Sequence, residues 1–169
     1  MYSLNAPLPG EVRSLVRDLR PALVGFDRIR QHHSLLLKRL DADTRRDYLR
    51  AAERAKAALR DTAAPFEVRI SRCGVFSDPH RGPGPLVYLA VESPELLRLH
   101  RHLAAELGTV EHLEGDDYTP HVTLARDGPQ DAVDRVLAAD FEPVTWAVSE
   151  LQLYDARHHE RIEAIPLPA

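Results

Sequence analysis

Two short stretches of this chain share one chemical pattern: His32-His33-Ser34-Leu35 and His121-Val122-Thr123-Leu124. Each is a histidine, any residue, a hydroxyl residue and an apolar residue. On a strand, residues i and i+2 point to the same face about 7 Å apart. His32 is therefore expected beside Ser34, and His121 beside Thr123. Two imidazoles suit acid-base work near neutral pH, one accepting a proton while the other donates. The hydroxyls beside them could donate hydrogen bonds to the non-bridging oxygens of a phosphoryl group, with the imidazoles on opposite sides for an in-line displacement. Two histidines and two hydroxyls make a poor zinc site, which wants three or four N, S or carboxylate ligands, so neither a metal nor another cofactor is expected.

The chain has nine histidines and 44% apolar residues. With its Ser and Thr content, a shuffled chain would carry about 0.3 such matches, with about a 4% chance of two. A lone buried histidine is more often a satisfied core residue than a catalyst, but a repeated pair argues the other way. Alternation puts His33 where Val122 stands, on the opposite face, and His33 is expected to tolerate replacement by Val or Leu. His100 and His102 lie two apart on a predicted helix and cannot chelate one ion. His112 falls in a polar loop and His158 and His159 in a predicted turn, and all of these read as structural or solvated.

The elements around the two motifs repeat as well. "MYSLNAPLPGEVRSLVRDLRPAL" lines up with "LVYLAVESPELLRLHRHLAAELG", matching Tyr2 with Tyr88, Pro9 with Pro94 and Glu11 with Glu95. Each piece reads as a short strand, a Pro-containing turn and an amphipathic helix. In the second, Ser93 is an N-cap, Pro94 opens the helix, Gly108 stops it, and Leu96, Leu99, Leu103 and Leu107 form its apolar face. A histidine strand follows each helix ("QHHSLLL" and "PHVTLA"), then a second helix, over about 43–59 with Tyr48, Ala52, Ala55 and Leu59 inward, and over about 130–138. "PFEVRISRCGVF" and "PVTWAVSELQLY" read as further strands, and "HHERIEAIPLPA" as one pairing back with "ELQLYDA". The offsets are 86 residues at the tyrosines and 89 at the histidines, about half the chain. The expected fold is α+β: a bilobal, pseudo-twofold duplication of two small, mainly antiparallel sheets backed by helices, with an active-site groove between the lobes. One domain over 1–169 is expected, with repeat copies of approximately 1–84 and 85–169, joined through the Pro/Gly-rich "SDPHRGPGP".

Composition narrows the choice of partner. With 169 residues, the chain can build one good core. The start "MYSLNAPLPGEV" reads as neither leader nor anchor, no apolar run approaches membrane-spanning length, and the single cysteine, Cys73, fits a reducing compartment. A cytoplasmic monomer with no membrane partner is expected. A net charge of −4 argues against a broad basic face gripping many phosphates, so a short nucleic-acid end is more plausible than a long duplex. The lysines are only Lys38 and Lys56, and all other basic side chains are arginines, which favour bidentate phosphate contacts.

Taken together, "HHSL", "PFEVRISRCGVFSD", "PLVYLAVESPELLRLHRHLAAELG" and "YTPHVTLAR" resemble, in that order, the 2H phosphoesterase superfamily, in its 2′,5′ RNA ligase / RNA 2′,3′-cyclic phosphodiesterase branch. The resemblance implies that His32 and His121 are the catalytic pair, that Ser34 and Thr123 bind the phosphate, and that Arg126 helps to hold it. It implies opening of a ribose 2′,3′-cyclic phosphate, on RNA ends or small cyclic nucleotides, to a 2′-phosphate. Some members also join RNA ends reversibly through a 2′,5′ linkage without ATP. For hydrolysis, His121 is the expected base and His32 the expected acid. The alternatives are a non-catalytic RNA-end or nucleotide binder of the same fold, or an enzyme for a cyclic phosphate outside RNA, such as an ADP-ribose derivative. The sequence departs from the family pattern in carrying Ser34 where Thr is commoner, and in running into "LLLKRL" where many relatives have a glycine turn.

Overall fold

The structure, a computed structural model, describes residues 1–169. Nine strands and four helices follow one another as β1 (Tyr2–Ala6), α1 (Gly10–Leu19), β2 (Arg28–Ile29), β3 (Leu35–Leu40), α2 (Arg45–Thr62), β4 (Phe66–Phe76), β5 (Leu86–Glu92), α3 (Pro94–Leu107), β6 (His121–Arg126), α4 (Gln130–Leu137), β7 (Val144–Val148), β8 (Glu150–Asp155) and β9 (Glu160–Pro166). They build two antiparallel sheets, ordered β3-β1-β8-β9 and β2-β6-β5-β4-β7. The fold is the α+β, two-lobed arrangement expected, with a groove between the sheets.

The lobes are not the two halves of the chain. In the first sheet β1 lies between β3 and β8, and in the second β5 lies between β6 and β4. Each lobe therefore takes two strands from the other half of the sequence, β8 and β9 in the first sheet and β2 and β4 in the second. The stretch "PVTWAVSELQLY", expected as one strand, breaks at Ser149. Its first part, β7, pairs with β4 in one sheet, and its second part, β8, pairs with β1 in the other. β9 then folds back on β8.

The helices follow their patterns. α2 buries Tyr48, Ala52, Ala55 and Leu59 on one face, and starts at Thr44, whose Oγ1 accepts from the Asp47 amide at 3.1 Å. α3 starts at Ser93, whose Oγ accepts from the Leu96 amide at 3.2 Å and donates to the Glu67 carbonyl at 2.7 Å, tying the helix to β4. α2 and α3 pack on each other and on β3, while α4 packs on β4. One apolar cluster of 36 buried residues, among them Leu4, Leu37, Leu89, Leu124 and Leu153, runs through both lobes. No helix is long and apolar enough to cross a membrane.

The first histidine stretch differs from expectation. β3 begins only at Leu35, and His32 to Ser34 precede it without strand structure. The reason lies in its neighbour: β1 ends at Ala6, opposite Leu35, and continues into "PLPG", where Pro7 and Pro9 have no N–H to extend a ladder. β6, by contrast, finds Ala90 of β5 opposite His121 and is a strand from that residue on.

Candidate active site

The segment before His32 runs along the second sheet. Arg28 and Ile29 pair with Arg126 and Ala125 of β6, and the Arg30 amide donates to the Leu124 carbonyl at 2.9 Å. The chain then crosses to the first sheet to become β3. This crossing carries His32 and Ser34 past β6 and brings the two motifs to one groove of about 570 Å³. His32, Ser34, His121, Thr123 and Arg126 all line it. His33 does not. It lines a smaller cleft beside α1, where its Nε2 is buried without a hydrogen-bond partner.

His121 is half-buried and held on three sides. Its Nδ1 lies 2.7 Å from the Thr119 carbonyl. A carbonyl only accepts, so Nδ1 carries the proton, and in the neutral ring Nε2 keeps its lone pair. Phe76 meets the ring edge-on at 5.1 Å and Tyr88 at 5.4 Å. Tyr88 can lie there because β4 has Gly74 opposite it; a Cβ on Gly74 would fall 2.6 Å from the Tyr88 ring. Burial pushes the His121 pKa below the ordinary histidine value of 6.5; the Thr119 carbonyl opposes that shift, and the guanidinium groups of Arg39, Arg126 and Arg30 add to it. His121 is thus held neutral, with Nε2 left as an acceptor.

His32 is exposed at the groove wall, and its ring stacks on that of His159 at 4.1 Å between centroids and 13° between planes. His159 ends the β8–β9 turn with φ at +52°. Asp155 fixes that turn, accepting from the Arg157 amide at 2.8 Å and from the His158 Nδ1 at 2.7 Å.

Strict alternation from His121 and Thr123 would turn Arg126 to the opposite face. A bulge prevents this. β6 pairs Thr123 with Tyr88 and Ala125 with Val87, leaving Leu124 as an extra residue, so that Leu124 and Ala125 are both buried and Arg126 returns to the groove. β3 does the same. Asn5 pairs with Leu36 and Leu4 with Lys38; Leu37 is the extra residue, Leu37 and Lys38 are both buried, and Arg39 joins Leu36 at the groove. Each histidine segment thus ends with a bulge that turns an arginine toward the groove.

The two arginines are held differently. Arg126 Nη1 donates to the carbonyls of Arg81 at 2.6 Å and Pro83 at 3.4 Å, strapping the Ser77–Pro85 loop to β6. Gly82, with φ at +77°, makes room, since a Cβ there would sit 2.8 Å from that nitrogen. Arg39 lies beside Glu114, a buried carboxylate that accepts from the amides of Arg39 at 2.8 Å and Val110 at 2.9 Å and pairs with Lys38 Nζ at 2.6 Å.

Several groove residues are not among those singled out from the sequence. Arg30, Arg39 and Arg81 join Arg126, against only Asp78 and Asp117 among acidic side chains, so the groove is basic although the chain is acidic overall. Arg30 stands two residues before His32, the same step that separates His32 from Ser34, and that spacing could have found it. His112 and His159 could not be found this way. They reach the groove from turns in which their φ angles are +63° and +52°, and His112 packs against His80 of the Pro/Gly loop at 4.6 Å, the rings tilted by 40°. His100 is structural. Its Nδ1 donates to the Leu37 carbonyl at 2.7 Å and its Nε2 accepts from the Gly115 amide at 2.9 Å, and it stacks on Tyr118 at 3.8 Å.

A family model described as the 2′-5′ RNA ligase superfamily matches residues 9–160. Among solved structures, the protein TT0787 of Thermus thermophilus is 23% identical over 98% of this chain and 97% of its own, with a TM-score of 0.67. E. coli LigT complexed with 3′-AMP is 18% identical over 99% of this chain and 98% of its own, with a TM-score of 0.70. LigT has also been solved with NADP+ and with phosphate. A structure described only as a phosphoesterase is 20% identical over 99% of this chain and 98% of its own, with a TM-score of 0.70. No curated protein matches the sequence.

Proposed function

Because this chain belongs to the 2′-5′ RNA ligase superfamily, we propose that it is a phosphodiesterase that opens 2′,3′-cyclic phosphate ends of RNA, or small cyclic nucleotides, to 2′-phosphates, with no metal or other cofactor. The observation that carries this reading is the convergence of both His-x-Ser/Thr motifs on one arginine-lined groove, with the His121 Nε2 free to accept a proton.

In the proposed reaction His121 Nε2 takes a proton from water as the water oxygen bonds to phosphorus. The bond from phosphorus to the 3′-oxygen breaks in line with that attack, and His32 gives the leaving oxygen its proton. The products are a 2′-phosphate and a 3′-hydroxyl. His121 is left protonated and His32 neutral, and exchange with solvent restores both. Ser34 and Thr123 donate to the non-bridging oxygens, and the guanidinium groups of Arg30, Arg39 and Arg126 stabilise the charge gathering there. Arg126 serves doubly, since part of its guanidinium already fixes the Ser77–Pro85 loop. On the same bound cyclic phosphate a 5′-hydroxyl in place of water, giving its proton to His121 as its oxygen bonds to phosphorus, yields a 2′,5′ linkage and a free 3′-hydroxyl. The reverse step, cleavage of that linkage back to the cyclic phosphate, starts from a protonated His121 and a neutral His32. The working unit in this reading is the single 1–169 domain as a monomer, because one chain supplies both motifs, and its single free cysteine, Cys73, fits a reducing, cytoplasmic setting.

Nucleotide complexes of LigT support a groove of this fold taking adenine nucleotides, and the NADP+ complex favours, as a second reading, a cyclic phosphate on a dinucleotide or ADP-ribose scaffold. The test is turnover of a cyclic-phosphate-ended oligonucleotide in excess EDTA, beside a panel of small cyclic phosphates. Turnover by wild type, reduced at least about a hundredfold in the His32→Ala, His121→Ala double variant, is expected. Equal rates in the two proteins would remove the assignment, and binding without product in wild type would make the protein a nucleotide binder.

A further inference from the structure

The groove has a neighbour. Beside α1 lies a cleft of about 330 Å³, floored by Val12, Val16 and Leu23 and rimmed by Arg13, Arg17, Arg20 and Arg30. Arg13, Arg17 and Arg20 follow one another at four and three residues, the spacing of a single helix face. All four arginines are exposed, none is in an ion pair, and no acidic side chain lines the cleft. The one side-chain partner among them is Gln31, whose Oε1 accepts from Arg20 at 3.4 Å. Into the same wall is set His33, with its Nε2 buried and unpartnered.

An exposed arginine stripe alone would be a solvated helix face. Here it surrounds an apolar hollow and an imidazole nitrogen short of a partner, and Arg30 lines both this cleft and the catalytic groove. Guanidinium groups match phosphate oxygens in a planar, two-pronged contact, while an apolar floor covers the face of a sugar or base. We propose that this cleft is a second nucleic-acid contact, and that the preferred substrate is therefore an RNA strand several nucleotides long. Its cyclic-phosphate end sits between His32 and His121, and the preceding nucleotides pass over Arg30 onto Arg13 and Arg17 of α1 and Arg20 just past its end. The inference rests on the function proposed above and adds a substrate class to it: oligonucleotide over mononucleotide. It also fits an acidic chain, because the positive charge is gathered along one short path.

The test is binding, read separately from turnover. A fluorescent eight-nucleotide RNA ending in a 2′-phosphate is titrated with wild type and with an Arg13→Ala, Arg17→Ala, Arg20→Ala variant over a range of salt, with adenosine 2′-monophosphate as the short ligand. RNA affinity is expected to fall at least about tenfold in the variant. Its dependence on salt should flatten by about two in logarithmic slope, as for three lost contacts to a single strand. Mononucleotide affinity should stay within about twofold. The triple lysine variant, which keeps the charge, should recover most of the RNA affinity and guards against a folding defect. Equal RNA binding by wild type and the alanine variant, or an equal loss for both ligands, overturns the proposal. Arginine-dependent RNA binding with no turnover of a cyclic-phosphate end would keep this contact and reject the proposed reaction.

Discussion

One face of the His32 ring is covered by His159, a residue from the far end of the chain, stacked at 4.1 Å. An exposed histidine otherwise rotates freely about two bonds, and the general acid proposed at this position would have to meet one oxygen within hydrogen-bond reach. The stack limits that rotation, and Asp155 anchors the turn that supplies it. A stacked aromatic pair is worth about 1 kcal/mol, which corresponds to roughly a fivefold change in rate if it is felt mainly in the transition state. His159→Ala is therefore expected to lower kcat about fivefold with KM little changed, while His159→Phe, which keeps a flat ring in place, stays close to wild type. Steady-state kinetics on a small cyclic nucleotide would check this. A loss confined to KM, or equal losses in the two variants, would count against a positioning role.

At the scale of elements, the two bulges decide which arginine meets the groove, and the Lys38–Glu114 pair holds one of them in place. Glu114 is fully buried at its side chain and Lys38 nearly so. Removing the carboxylate would leave an ammonium buried alone and two amides, those of Arg39 and Val110, without their acceptor. Such a break costs about 3–5 kcal/mol. Glu114→Ala is expected to destabilise by that order in urea denaturation, and Lys38→Met by clearly less, because Glu114 keeps both amides. The reverse ranking would show that the ammonium, not the carboxylate, organises the site. Alternation and caps made the helices and most strands legible in the sequence, and the repeated motif made legible the meeting of His32, Ser34, His121 and Thr123 at one groove. The bulges were not legible, because Leu124 and Leu37 look like any other apolar strand residue. For the same reason strict alternation misplaces Arg126 and hides Arg39 behind Lys38. Nor could the sequence show the break at Ser149, where one apolar-alternating run serves two sheets in succession. Sheet exchange depends on partners distant in sequence, and local pattern carries no trace of them.

Across the whole molecule, the folded state holds three imidazoles away from their ordinary protonation. Burial pushes the pKa values of His33, His100 and His121 below 6.5. The folded chain keeps these rings neutral where the unfolded chain would take up protons. Their contribution to stability is therefore present above about pH 6.5 and lost as pH falls through the folded values. Cys73 acts on the other side. Burial raises its thiol pKa from 9.0 to about 11, so the unfolded chain releases a proton first, and stability present below 9.0 is lost as pH rises toward 11. Asp155, whose pKa is lowered by its hydrogen bond to His158, acts only below the ordinary carboxylate range and does not affect the neutral window. A stability plateau between about pH 6.5 and 9 is expected, falling on both sides, with proton uptake on unfolding at the acid edge and proton release at the alkaline edge. Denaturant midpoints at fixed m-value across this range would measure it, since the slope with pH reports the difference in bound protons. Replacing Cys73 with Ala should flatten the Cys73 component of the alkaline fall while leaving the acid fall in place. A profile that keeps rising from pH 6.5 down to 5 would mean that these rings are protonated in the folded protein, and would remove the neutral His121 base on which the proposed reaction depends.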